Sequence, residues 1–258
     1  MHLISLFYFC AVKEIIVNDV VIHFNEPRLY ISAIATIIFY LVLIKIAGKA
    51  SGTSRDKVTT IFGLLFLSLS AGLQLTMLVG DSMPWNIHKS LPLHLCQINF
   101  ILTGINCIIR RQWLWEISTF WGLIGGLHSF ITPQLPMGDA PYFMFFYYFQ
   151  HGALLFMPIY LWKYYGFRFR HRGWMRVYLI TLGYAFFTLA VNAILNLGFP
   201  GEYLANYFYV WEPPKADNPL IMGDWPYYLI PTLFIFALHM IVINAIFRWK
   251  EKYHTLWA

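Results

Sequence analysis

Charge is what this sequence has least of. Only 12% of its 258 residues are Asp, Glu, Lys or Arg, against about 25% in an ordinary soluble domain. So little polar surface could not cover the 59% of residues that are hydrophobic in a soluble fold, whereas lipid can accept them. Cysteine is scarce as well, at three: Cys10, Cys96 and Cys107. Their odd number and irregular spacing exclude a disulfide framework and a zinc knuckle. On one helix Cys96 and Cys107 would stand about 16 Å apart by rise alone, too far to bridge. No Lys or Arg precedes the first apolar run, Leu3 to Val12, and no small-residue cleavage site follows it. That argues against a signal peptide and for a short helix on the membrane surface over residues 1–24. The formal net charge is +6, but no basic stripe is interleaved with stacking aromatics, so no nucleic-acid partner is expected.

What the chain does have is a succession of apolar runs, each near the roughly 20 residues that cross a bilayer. The expected spans are Leu29–Ala47, Val58–Val79, Leu91–Ile109, Leu114–Thr132, Tyr142–Trp162, Met175–Leu197 and Tyr227–Phe247. They predict an all-α polytopic bundle of seven transmembrane helices. Residues 1–28 are then a surface segment, 29–247 the transmembrane domain and 248–258 a basic cytoplasmic tail. Fourteen of the 18 Lys and Arg residues fall on one side: Lys45 to Lys57, Arg110 and Arg111, Lys163 to Arg176, and Arg248 to Lys252. Only Lys13, Arg28, Lys89 and Lys215 fall on the other. Basic residues stay in the cytoplasm, which predicts N-terminus out and C-terminus in. The longest outer loop, Gly198–Pro226, is rich in aromatics and is expected to cap the bundle or lie on the membrane.

Ionisable and polar residues inside spans are costly and tend to mark function. Measured from the span ends at 1.5 Å per residue, His94 and Cys96 sit about 5 and 8 Å below the outer surface. His128, Gln74, Asn192 and Asn196 also fall in the outer half, and Gln150 and His151 near the middle of the fifth span. Ser90 and Pro92 read as an N-cap and first-turn proline of the third span. His94 and Cys96, at i and i+2, do not share a helix face, so a base for Cys96 would come from His128 or His151. Ser118, Gly122, Gly125 and His128 form a stripe suited to close helix packing. His239 falls in the inner half of the last span, away from the others, and reads as structural.

Several motifs resemble the YwaF-type family of bacterial integral membrane proteins. They are Leu91-Pro92-Leu93-His94-Leu95-Cys96, Gly125-Gly126-Leu127 with Thr132-Pro133, Phe149-Gln150-His151-Gly152, the stretch 192–207, and Asp224-Trp225-Pro226-Tyr227-Tyr228. The likeness runs from about residue 58 onward and implies the bacterial cytoplasmic membrane. More distantly the chain resembles the animal transmembrane protein 164, a phospholipid acyltransferase that uses a cysteine and a histidine. That resemblance implies roles for His94 and His151. The cysteine of the animal motif directly precedes the histidine, where this chain has Leu93.

Two functions from different classes are expected. One is a membrane lipid acyltransferase or hydrolase acting on membrane phospholipids without a cofactor. His94, His128 or His151 would supply the base and Cys96 or a histidine would carry the acyl group. Gln74, Gln150, Asn192 and Asn196 would contact substrate. The other is a small-solute transporter or sensor that binds its ligand with the same cluster. A zinc hydrolase using His94, His128 and His151 is a third reading.

Overall fold

The computed structural model describes residues 20–80, 85–201, 203–215, 218 and 220–254. Seven helices dominate it: α1 (Pro27–Gly48), α2 (Gly52–Val79), α3 (Leu95–Ile109), α4 (Gln112–Ile131), α5 (Pro141–Tyr165), α6 (Gly173–Ala193) and α7 (Leu229–His254). Each of the seven apolar runs holds one of them. A π-helical turn, Ile194–Gly198, continues α6, and a 3-10 turn at Tyr207–Tyr209 interrupts the long loop after it. Two short strands, β1 (Val20–Val21) and β2 (Gln134–Leu135), pair antiparallel. The surface helix expected over residues 1–24 is therefore corrected where it can be seen, since residues 20 and 21 are extended; residues 1–19 lie outside the described residues.

Four of the helices are long and apolar enough to cross a membrane: those at Pro27–Gly48, Gly52–Val79, Gly173–Gly198 and Leu229–Lys250. Their outward faces are apolar, with Ile31 67%, Leu78 62%, Phe186 71% and Phe234 70% exposed. Water would not tolerate that much contiguous apolar surface, and lipid removes the cost. The chain is a multi-pass membrane protein. α4 and α5 run through the centre, and small residues let them meet. A Cβ on Gly122 would stand 2.4 Å from the Leu154 carbonyl oxygen. Pro158 lies inside α5 and has no N–H to offer the carbonyl four residues earlier, which is Leu154. Gly122 thus packs against the backbone group that the proline leaves free.

The two ends of the bundle are built differently. One collects β1, β2, the segment 85–94 and the described residues of the loop between α6 and α7. The other collects basic residues. There Glu116, 1% exposed, accepts the Arg170 backbone N–H at 2.8 Å and the Arg170 guanidinium at 2.6 Å. That hydrogen bond holds Arg170 above its ordinary arginine value. Beside it Trp115, Phe120 and Phe247 close on Phe169 with ring centroids 4.5 to 5.2 Å apart.

α3 corrects one boundary. Its helix starts at Leu95, and at 15 residues it is about 22 Å long. Ser90 and Pro92 are not in its first turn; His94, extended at φ −67° and ψ 143°, holds the N-cap position. The segment stays unwound because side chains satisfy its backbone. Tyr207 Oη accepts the Leu91 N–H at 3.1 Å and donates to the Ile87 carbonyl at 2.6 Å. Tyr184 donates to the Leu93 carbonyl at 2.7 Å, and Gln74 Nε2 to the Ser90 carbonyl at 2.8 Å.

Candidate functional site

Unwinding ahead of α3 opens a space between α3, α4, α5 and α7, roofed by Phe208, Tyr209, Pro214 and Asn218 of the loop after α6. It is a cavity of about 300 Å³, at the lower edge of the usual range for small-molecule sites. His94 reaches it from the N-cap of α3, and its ring lies 5.4 Å from that of Tyr207 and 5.1 Å from that of Tyr209. Cys96 lines it one residue inside α3. Its Sγ lies 3.9 Å from Ser129 Oγ, and a Cβ on Gly125 would stand 3.3 Å from the same sulfur. Ser129 spends its own proton on the Gly125 carbonyl at 2.8 Å. The thiol is therefore the donor toward Ser129, not a partner of an imidazole.

His151 lines the cavity from α5, its Nδ1 2.7 Å from the Tyr147 carbonyl and its ring 4.2 Å from the Tyr147 ring. His128 lines it from α4, 3.1 Å from Asn218 of the loop. Gln150 donates to the Cys96 carbonyl at 3.2 Å and so ties α5 to the first turn of α3. Five of the expected residues, His94, Cys96, His128, Gln150 and His151, thus share one cavity.

Three do not. Asn192 donates to the Tyr207 carbonyl at 3.0 Å and accepts its N–H at 2.9 Å. Asn196 holds Ala205 in the same two-edged way, at 3.0 and 2.7 Å. Both clasp the loop rather than line the cavity. Burial pushes the Tyr207 phenol up to about 12, which keeps it the neutral donor that the 85–94 segment needs. Gln74, occupied with Ser90 and with the Trp85 indole at 3.2 Å, borders a second cavity of about 220 Å³ between α2 and α3.

Two expectations are corrected. His239 is not apart from the cluster: it lines the main cavity with its ring 5.4 Å from that of His128. The physical reason is that α7 starts at a different level from α4, so distance from a helix's own end does not measure shared depth. The zinc reading of His94, His128 and His151 is not met either. Among the described residues no group of three or more His, Cys, Asp or Glu side chains could hold one ion. Tyr147, Tyr209, Asn218 and His239 are site residues that sequence reasoning missed. Only His239 carried a signal, as an ionisable residue inside a span.

The TMEM164 family model matches residues 23–244. The chain belongs to the TMEM164 family. The match begins at the N-terminal side of α1, earlier than the likeness from residue 58 had implied, and takes in every residue of the cavity. Searches of curated proteins and of solved structures gave no match. In the animal family motif a cysteine precedes the first histidine, and here that place falls outside the cavity. Leu93 packs instead on the cluster of Leu195, Ala205 and Tyr207.

Proposed function

We propose that this TMEM164-family chain is a membrane enzyme that transfers or hydrolyses the acyl groups of phospholipids. It is read as a YwaF-type protein of the bacterial cytoplasmic membrane, with seven spans, the N-terminus out and the C-terminus in. Residues 1–28, 29–247 and 248–258 form its surface segment, transmembrane domain and cytoplasmic tail. The orientation is supported by the basic end of the bundle, where Arg55 donates to the Tyr164 carbonyl, Arg110 to the Asp56 carbonyl and Arg248 to the Arg170 carbonyl. That end lies opposite the cavity.

The observation that carries the enzymatic reading is the junction of two spaces. The cavity with His94, Cys96, His128 and His151 shares Leu73, Gln97, Phe146 and Gln150 with the second, largely apolar one between α2 and α3. General-base chemistry beside a hydrocarbon slot is what an ester-linked acyl chain needs. A polar solute has no use for the slot. In this reading a cavity imidazole takes the proton of the attacking group, and the acyl group passes either by way of Cys96 or a histidine or directly to that group.

The test compares the lipids of cells that carry the wild-type gene, a deletion and His94→Ala. The wild type is expected to differ in acyl-chain profile from both of the others. Identical profiles in all three would overturn the reading.

A further inference from the structure

Three imidazoles of the main cavity are committed at Nδ1, and their partners dictate which nitrogen carries the proton. Asn218 Oδ1 accepts the Leu220 backbone N–H at 3.0 Å. A backbone N–H can only donate, so this contact fixes which way round the amide stands. Asn218 Nδ2 is therefore the atom 3.1 Å from His128 Nδ1, and it donates. A ring nitrogen that accepts bears no proton, so His128 is a neutral imidazole with its N–H at Nε2.

His151 and His239 are committed the opposite way. Nδ1 of His151 faces the Tyr147 carbonyl at 2.7 Å, and Nδ1 of His239 faces the Ile235 carbonyl at 2.8 Å. A carbonyl only accepts. Both rings therefore carry the proton at Nδ1 and, when neutral, a lone pair at Nε2. All three line the one cavity.

We propose that these three imidazoles divide into one hydrogen-bond donor, His128, and two bases, His151 and His239. The cavity is suited to a ligand that offers an acceptor oxygen to α4 and an O–H to α5 and α7. Asn218 is the positioning residue that makes His128 the donor. A carboxylic ester together with an attacking hydroxyl carries both features; a bare hydrocarbon or a simple cation carries neither. The ligand chemistry deepens the lipid reading and rests on it, whereas the tautomers rest on geometry alone.

The corresponding step balances without a further reactant. The hydroxyl oxygen attacks the ester carbonyl carbon as His151 Nε2 takes its proton. The carbonyl oxygen, gaining charge, accepts the His128 Nε2–H. When the old C–O bond breaks, the imidazolium returns the proton to the leaving alkoxide and the carbonyl re-forms.

Nitrogen NMR of the full chain, ¹⁵N-labelled at histidine and held in lipid nanodiscs, reads the tautomers directly. Single His→Gln variants assign the signals. Expected are a pyridine-like Nδ1 and pyrrole-like Nε2 for His128, and the reverse for His151 and His239. Asn218→Asp places an acceptor-only group at Nδ1 and is expected to exchange the two His128 signals. A pyrrole-like Nδ1 on wild-type His128, or a spectrum of folded Asn218→Asp unchanged from wild type, would overturn the proposal. Should that variant not fold, the wild-type spectrum decides alone. Unchanged lipid profiles would sink the enzymatic reading and leave these tautomers standing; reversed tautomers would do the opposite.

Discussion

Asn192 grips Tyr207 by both edges of its amide, donating to the Tyr207 carbonyl at 3.0 Å and accepting its N–H at 2.9 Å. Both residues are fully buried. The pair matters beyond itself, because Tyr207 Oη in turn holds the unwound segment that presents His94. Asn192→Leu removes both bonds and strands two buried backbone groups, at a cost of about 2–4 kcal/mol. The expected outcome is a thermal midpoint in detergent lowered by several degrees. Faster proteolysis of the 199–228 loop than in wild type is expected with it. An unchanged midpoint would mean that the loop docks without the clasp.

Gly122 and Gly183 make a paired test of helix contact. A Cβ at Gly122 would strike the Leu154 carbonyl oxygen, whereas at Gly183 it would meet nothing within 4 Å. Gly122→Ala is expected to lower stability by about 1–3 kcal/mol, because α4 and α5 must separate. Gly183→Ala is expected to be neutral or to stabilise by up to about 1 kcal/mol, through helix propensity. Thermal midpoints of the two purified variants check both.

Much of the fold was legible because lipid imposes one length and one polarity on every span. The apolar runs from Leu29 to Phe247 each hold a helix, and His94, Cys96, His128 and His151 do share a cavity. The errors come from what a single helix cannot reveal. Pro92 is compatible with a first turn, and Tyr184 and Tyr207, roughly 90 and 115 residues away, together with Gln74, make the extended alternative stable. His239 was misplaced because axial offsets between helices are set by packing. Asn218, far along the chain from His128, had no local signature at all.

The tie between the N-terminal segment and the β2 loop should respond to acid. Arg28 bonds to Asp139, and that hydrogen bond holds the Asp139 carboxyl below its ordinary value of 3.8. A lowered pKa contributes stability that is fully present above the ordinary value and is lost as pH falls through the folded one. The neighbouring Ile22 N–H, bonded to the Pro133 carbonyl at 3.1 Å, reports it. Its exchange protection is expected to exceed that of Arg28→Gln at neutral pH. The difference should vanish once pH drops below the Asp139 value. A difference that persists in acid would assign the tie to something other than this ion pair.

At the basic end of the bundle, Arg170→Ala would leave Glu116 buried with the residue-170 backbone N–H at 2.8 Å as its remaining donor from that pair. Removing one partner of a fully buried pair costs about 3–5 kcal/mol. Arg170 is nearly half exposed, at 46%, so water repairs part of the loss and about 1–2 kcal/mol is expected. Adding Glu116→Gln to Arg170→Ala should recover some of that, because the uncompensated charge is gone. Thermal midpoints of the two singles and the double close the cycle. A double variant no more stable than Arg170→Ala would show that the carboxylate's charge is not the source of the loss.

The place of the acyl carrier separates two chemistries. Leu93, which occupies the position of the animal relative's cysteine, packs on Leu195, Ala205 and Tyr207, whereas Cys96 lines the cavity. If a thioester forms, it forms at Cys96, where the thiol first gives up the proton it shares with Ser129. Wild-type protein incubated with radiolabelled phospholipid would then retain label that hydroxylamine releases, and Cys96→Ala would retain none. Leu93→Cys in the Cys96→Ala background is expected not to restore labelling, because its thiol would sit among the side chains under the loop. Turnover that survives in Cys96→Ala but is lost in His151→Ala would instead favour direct transfer to a hydroxyl, with the imidazole as base and no covalent intermediate.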